Sequence, residues 1–295
     1  MRHVLIVFPS EADEARLARL PGLAERFDLM RVPGPDVAHP ADLIRDGWIE
    51  DVAEEFGLRV DGVLTTRGEP ATTLAALLAL RLTEAGPPPL AVRAASRRDE
   101  TLARLADALP DHTPRHHLLA AGASAADVPG GYPWQVLPAF VDVERPAPVV
   151  ADAAALQAVL DDAADRAARA DDLRLARALA DACASEPPAG LPVVLREPVD
   201  APRASVAGWV HQGEIHVPAT AGELGELAVR VVKALDLDHL VFRIEFARPA
   251  DGPPLVLDVR PHLGGTGASP DEPLEGLDPY EVALAVATGD PPPRT

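Results

Sequence analysis

The chain has 295 residues, 47% hydrophobic and 25% charged, enough to bury a large core spread over two or three subdomains. A formal net charge of −19 excludes a nucleic-acid binder, which needs Lys and Arg against phosphate, and a protein drawn to anionic membrane surfaces. One cysteine, an N-terminal apolar stretch too short for a signal peptide, and no run near the ~20 apolar residues of a membrane helix lead to the expectation of a reducing, cytoplasmic setting.

The first part alternates strand and helix. Residues 4–8 (VLIVF) are a continuous apolar run, as in a strand buried on both faces. Ser10 can cap the next helix, with Asp13 at N3. Residues 27–32 give a second strand. Leu43, Ile44, Trp48, Val52 and Phe56 mark one helical face, with Glu50, Asp51, Glu54 and Glu55 on the wet side. A third strand at 60–65 precedes a helix opened by Pro70, with Leu74, Leu77, Leu78 and Leu82 on one side. PPPLAV (87–92) supplies a fourth strand. The rhythm predicts a small doubly wound parallel sheet over residues 1–95. Glu69 falls at the strand end where such sheets bind ligands; an acid at a helix N-terminus explains it equally well.

A capped helix, SRRDETLARLADAL (96–109), leads into a polar connector, together spanning 96–125. An α+β unit over 126–212 holds a strand at 133–143, an Ala-rich helical segment from Leu156 to near Ala184, and strands at 193–199 and 205–217 with a turn at His211-Gln212-Gly213-Glu214. Cys183, in the Ala-rich run, reads as a buried, inert thiol. In a last unit, 213–295, Thr220 and Glu223 suggest a capping box for a helix carrying Leu224, Leu227, Val231, Val232 and Leu235. Asp278 and Pro279 start the final helix.

The main constellation lies between these helices. Two short apolar runs, VFRIEF (241–246) and LVLDVR (255–260), flank a turn-rich ARPADGPP. Period-2 alternation puts Arg243 and Glu245 on one face of the first strand, and Asp258, Arg260 and His262 on one face of the second. Phe242, Ile244, Phe246, Leu257 and Val259 then face a core. If the runs pair as a hairpin, Glu245 and Asp258 can grip a divalent cation with oxygen ligands. The arginines can equally neutralise both carboxylates, giving a salt-bridged sheet face. His262 suits an acid/base or phosphate-donor role, or a structural bond to a carboxylate. Gly264 and Gly265 can cradle an anion with backbone amides, or belong to an ordinary loop. The cluster Asp111-His112 and Arg115-His116-His117 lacks zinc-ligand spacing and reads as a solvated connector.

The order of these segments resembles the ATP-grasp superfamily of carboxylate–amine ligases, along nearly the whole chain. GVLTTRGEPATTLAALLALRLTEAG (62–86) is similar to that family's N-domain strand, acidic turn and helix; SRRDE (96–100) to its Arg-Asp-Lys signature; GYPWQVLP (131–138) to the strand bearing a phosphate-binding Lys; VVLREPV (193–199) to the adenine hinge; and residues 237–265 to its metal-binding end. The resemblance implies an α/β plus α+β architecture: a doubly wound N-terminal sheet followed by two α+β subdomains with a shortened lid. It implies ATP and Mg²⁺ as cofactors, with a small-molecule carboxylate joined to an amine through an acyl phosphate, as in small-molecule biosynthesis. Glu245 and Asp258 fall where the family binds metal, and Glu197 near the hinge. Glu69, Gly264 and Gly265 fall around the ligand, while Arg260, Arg243 and His262 are left to hold phosphate or substrate. A homodimer is compatible with this reading. Leu137 stands for the family's Lys, Glu100 for the Lys of Arg-Asp-Lys, Arg203 for an acid after the hinge, Arg260 for a metal-binding Asn, and His262 for an Arg. These departures predict a degenerate nucleotide site. The alternative function is a module that binds a metabolite or partner, or that uses its Arg/His-lined cleft for another reaction.

Overall fold

The computed structural model describes residues 1–34, 41, 44, 47–57, 60–83, 85–140, 147–263, 274 and 276–292, the side chains of 163–165 excepted. Arg2–Val7 (β1), Phe27–Val32 (β2) and Gly62–Leu64 (β3) form a parallel sheet in the order β2-β1-β3. Val4 to Val7 are wholly buried, so the central strand shows no polar alternation. Helices Glu11–Leu17 (α1), Leu23–Arg26 (α2), Trp48–Phe56 (α3) and Ala71–Leu82 (α4) accompany it. Leu43 of the expected helical face lies outside the described residues. Ser10 and Asp13 do form a capping box at α1.

PPPLAV is not a fourth strand. Pro89–Ser96 is a helix, α5, with Pro89 at its first position, where the fixed φ suits a helix and the missing N–H costs nothing. Its buried Ala91, Val92, Ala94 and Ala95 follow the helical period. Ser96 thus ends α5, and Arg98–Ala108 (α6) begins without a side-chain cap.

His116–Leu119 (β4), Trp134–Leu137 (β5), Val149–Val150 (β6) and Val193–Arg196 (β7) make a second, antiparallel sheet, β4-β7-β5-β6, called the lid sheet below after the lid that the resemblance implies. The segment at 116–119, read as connector, is one of its strands. β5 stops at Leu137 because Pro138 cannot donate to the ladder. The Ala-rich segment is two helices, Ala153–Asp161 (α7) and Ala163–Ala182 (α8), interrupted where Asp162 turns extended. Leu156 and Leu160 of α7 pack on Val136 and Leu195 of the sheet.

Arg203–His211 (β8), Glu214–His216 (β9), Leu240–Ala247 (β10) and Leu255–Arg260 (β11) form the third sheet, β11-β10-β8-β9. β8 pairs from Arg203 to Val210 with β10. Gln212 and Gly213 both have positive φ (52° and 78°), as a tight two-residue hairpin turn requires. At Gly208 of β8, a Cβ would stand 2.3 Å from the His216 carbonyl oxygen and 2.7 Å from the Phe242 ring, so no side chain fits there. Glu223–Ala234 (α9) starts from Gly222, and Thr220 lies in a preceding 3₁₀ turn, so no Thr220–Glu223 box forms. α9 lays Leu227, Ala228, Val231 and Val232 on Phe242, Ile244 and Phe246, against Val92 of α5 and Leu105 of α6.

Pro279–Ala287 (α10), capped by Asp278, returns to the first sheet. Tyr280, Leu284 and Ala287 pack on Val4, Ile6, Phe27 and Leu64, while Val282, Ala283 and Val286 meet Trp209 and Val241 of the third sheet. Among the described residues no helix is long and apolar enough to cross a membrane.

The Tyr280 hydroxyl donates to Asp13 Oδ1 at 2.6 Å. Burial works to raise the Asp13 carboxyl, but hydrogen bonds from Ser10, Tyr280 and Thr66 outweigh it and hold the group below the usual carboxylate range. A carboxylate with a depressed folded pKa stabilises above its unfolded pKa, and that contribution fades as pH falls through the folded value. Tyr280→Phe is therefore expected to cost about 1.5–3 kcal/mol at neutral pH, with the difference shrinking below about pH 4. Urea unfolding of both proteins at pH 7 and pH 3 measures this. An equal loss at both would assign the effect to packing alone.

Candidate functional site

In the β10–β11 hairpin, Glu245 stands directly opposite Asp258, and Arg243 opposite Arg260. Opposed residues share a sheet face, and two facing guanidiniums repel. Arg260 relieves this by donating from Nη1 to Glu245 Oε1 at 2.7 Å, on the diagonal. Arg203 of β8 lies 3.8 Å from the other Glu245 oxygen. Arg243 and Arg260 are both buried, as is His262 just past β11.

A bulge between Glu245 and Phe246 shifts the register, so that Phe246 faces Val256. Val256 therefore joins the core cluster with Phe246 and Val259, and Leu257, expected there from strict alternation, does not. The Leu257 carbonyl accepts instead from Arg196.

Asp258 takes its guanidinium from outside the hairpin. Arg98, at the start of α6, donates from Nε to Asp258 Oδ1 at 2.9 Å, with Nη2 3.5 Å from Oδ2. Its Nη1 donates to the carbonyls of Pro138 (3.0 Å) and Phe140 (2.7 Å), just beyond β5. Arg196, at the end of β7, donates to the Leu257 carbonyl at 2.8 Å and to Gln135 Oε1 of β5 at 3.1 Å. Two side chains, Arg98 and Arg196, thus tie the lid sheet to the hairpin sheet. Neither was chosen as a site residue from sequence. Arg98 had a signal as the first member of its Arg-Asp-Lys-like triplet; Arg196 had a fainter one, a cation ending an otherwise apolar strand.

Glu69 and His262 come into one electrostatic neighbourhood. Burial pushes the Glu69 carboxyl above its usual range, while Thr73, whose hydroxyl lies at 2.6 Å, Ser96 and the charge of His262 pull the other way. Glu197 has a different partner. It accepts from the Arg115 N–H at 3.0 Å and donates its own N–H to the Arg115 carbonyl at 2.9 Å, extending the β4–β7 ladder. The Arg115 guanidinium lies over the Trp134 ring at 4.2 Å. Gly264 and Gly265 lie outside the described residues. Burial pushes the Cys183 thiol up to about 11, so it stays protonated and is a poor nucleophile. His112 is accounted for by the Pro254 carbonyl at 2.9 Å, and His216 by stacking on Trp209 at 5.0 Å.

No protein-family model matches the chain, and no curated protein matches it. Its structure is similar to the L-amino acid ligase of Bacillus licheniformis, with 19% identity and a TM-score of 0.62 over 98% of this chain and 74% of the ligase. It is similar to the N5-carboxyaminoimidazole ribonucleotide synthetase of Thermotoga maritima, with 15% identity and a TM-score of 0.65 over 100% of this chain and 78% of that one. It is also similar to the VanG D-Ala:D-Ser ligase of Enterococcus faecalis, with 13% identity and a TM-score of 0.63 over 97% and 99%. A parallel sheet, a lid sheet and a carboxylate-bearing hairpin sheet in this order, together with these likenesses, give the chain the ATP-grasp fold, an α/β layer followed by two α+β units.

Proposed function

We propose that this ligase-type scaffold binds an anionic small molecule, such as a nucleotide, where the lid sheet meets the hairpin, and that arginine takes the place of a divalent cation there. One observation carries this reading: each carboxylate of the opposed pair already holds a guanidinium, Glu245 from Arg260 and Asp258 from Arg98. Mg²⁺ favours octahedral oxygen coordination, and guanidinium has only donors to offer it. Among the described residues no group of three His, Cys, Asp or Glu could hold a metal ion. Paired in this way, these residues do not fit Mg²⁺. Arginine forks suit phosphate and carboxylate oxygens. In this reading Arg260, Arg243 and His262 line the anion side, Glu245 and Asp258 fix the arginines, and Glu69 and Glu197 flank the ligand.

A second reading has its own support in the direct opposition of Glu245 and Asp258. If ligand binding drew Arg98 and Arg260 away, both carboxylates could take a metal, and the protein would join a carboxylate to an amine at the expense of ATP. Thermal unfolding with ATP separates the two. At 100 times its Kd, ATP should stabilise the fold by about 2.7 kcal/mol, in EDTA as well as in Mg²⁺. The ligase reading requires stabilisation only with Mg²⁺, and ADP release that depends on one acid and one amine. Absence of any shift in either buffer would overturn nucleotide binding.

A further inference from the structure

Arg196 lies among the ion pairs of the seam without joining them. Arg196 is only 4% exposed. Among the described residues no carboxylate lies within ion-pair distance of it. Its two contacts, the Leu257 carbonyl and the Gln135 side-chain oxygen, are neutral. Its Nε–H has no hydrogen-bond partner there either. The acids whose charges act on it, Asp258 and Glu245, are engaged by Arg98 and by Arg260 with Arg203. Burial lowers the Arg196 pKa; Asp258 and Glu245 work to raise it, while Arg98 and Arg203 lower it further. Two neutral acceptors do not offset the removal of a guanidinium from water. A buried cation of this kind, with an N–H to spare, is suited to an oxyanion that arrives from outside.

We infer that Arg196 binds the anionic group of the ligand, a phosphoryl or carboxylate oxyanion, at the seam between β7 and β11. This rests on the proposed anion-binding function and names the residue that performs it. Arg98 and Arg203 add positive potential beside Arg196, and the strand pairing of β7 holds its backbone in place. A purely structural tether would need only the two neutral contacts.

The test is calorimetric titration of the full chain with pyrophosphate, ATP and citrate, all in EDTA, on wild type, Arg196→Met and Arg196→Lys. Wild type is expected to bind at least one probe. Arg196→Met, which keeps the volume and removes the charge, should weaken that probe at least tenfold. Arg196→Lys, which keeps the charge but not the planar fork, should weaken it at least threefold, and it serves if the Met variant does not fold. Loss confined to pyrophosphate and ATP identifies a phosphoryl group; loss confined to citrate identifies a carboxylate. Unchanged affinity in either variant overturns the role of Arg196 and leaves the proposed anion-binding function standing. No binding of any probe by wild type overturns both.

Discussion

Replacing Arg98 with Met is expected to remove about 3–5 kcal/mol of folding stability, as when one partner of a buried ion pair is deleted. The side chains of Arg98 and Asp258 are only 10% and 11% exposed, so the carboxylate left behind is poorly hydrated. The same guanidinium holds the Pro138 and Phe140 carbonyls, so the lid sheet loses one of its two ties, that of Arg196 remaining. Asp258→Asn should cost less, because Arg98 keeps both carbonyls. A double change, Arg98→Met with Asp258→Leu, should recover much of the loss, since an apolar pair of similar volume is often neutral against a buried ion pair. Urea unfolding of the three variants measures this coupling. A loss below about 1 kcal/mol in Arg98→Met, the range of exposed pairs, would mean that the seam opens to water and that the pair does not fasten it.

Phe246→Ala is expected to be as damaging, at about 3–5 kcal/mol. The ring is fully buried in the largest core cluster, under α9 and against Val256 across the bulge. Deleting it leaves a cavity between two strands whose pairing restricts collapse. The ring also bears on the site, because Phe246 directly follows Glu245 on β10 and anchors on the core face the strand that carries Glu245 on the charged face. Phe246→Leu, closer in volume, should cost less than about 1.5 kcal/mol and leave anion binding intact. If Phe246→Ala retained full stability yet lost anion binding, the ring would be acting on the site and not on the core.

The charged hairpin was readable because alternation fixes which side chains share a face, and Glu245 and Asp258 do meet. The bulge was not readable, since it is settled by pairing with a partner strand and not by either run alone; hence Val256 was missed, and Leu257, though buried, lies outside the cluster under α9. Arg98 and Arg196 escaped for a related reason. Their partners lie 160 and 61 residues away, across sheets whose approach no local pattern encodes. PPPLAV was misread as a strand because three prolines suggest interruption, although the spacing of Ala91, Val92, Ala94 and Ala95 carried the helical period. Where a cap was confirmed, at Ser10 and Asp278, the capping residue stood next to its helix; Thr220 is separated from α9 by a 3₁₀ turn. The doubly wound rhythm and the order of the three sheets were legible, because apolar runs of strand length alternate with helical faces throughout.

The placement of α10 bears on how the molecule is made. Its Tyr280, Leu284 and Ala287 supply one side of the core beneath β1, and Arg16 of α1 pairs with Asp278 at its cap. A nascent chain on the ribosome therefore carries β1 with an uncovered apolar underside until α10 emerges. Vectorial, piece-by-piece maturation is closed to this first layer, and its completion waits on the synthesis of α10.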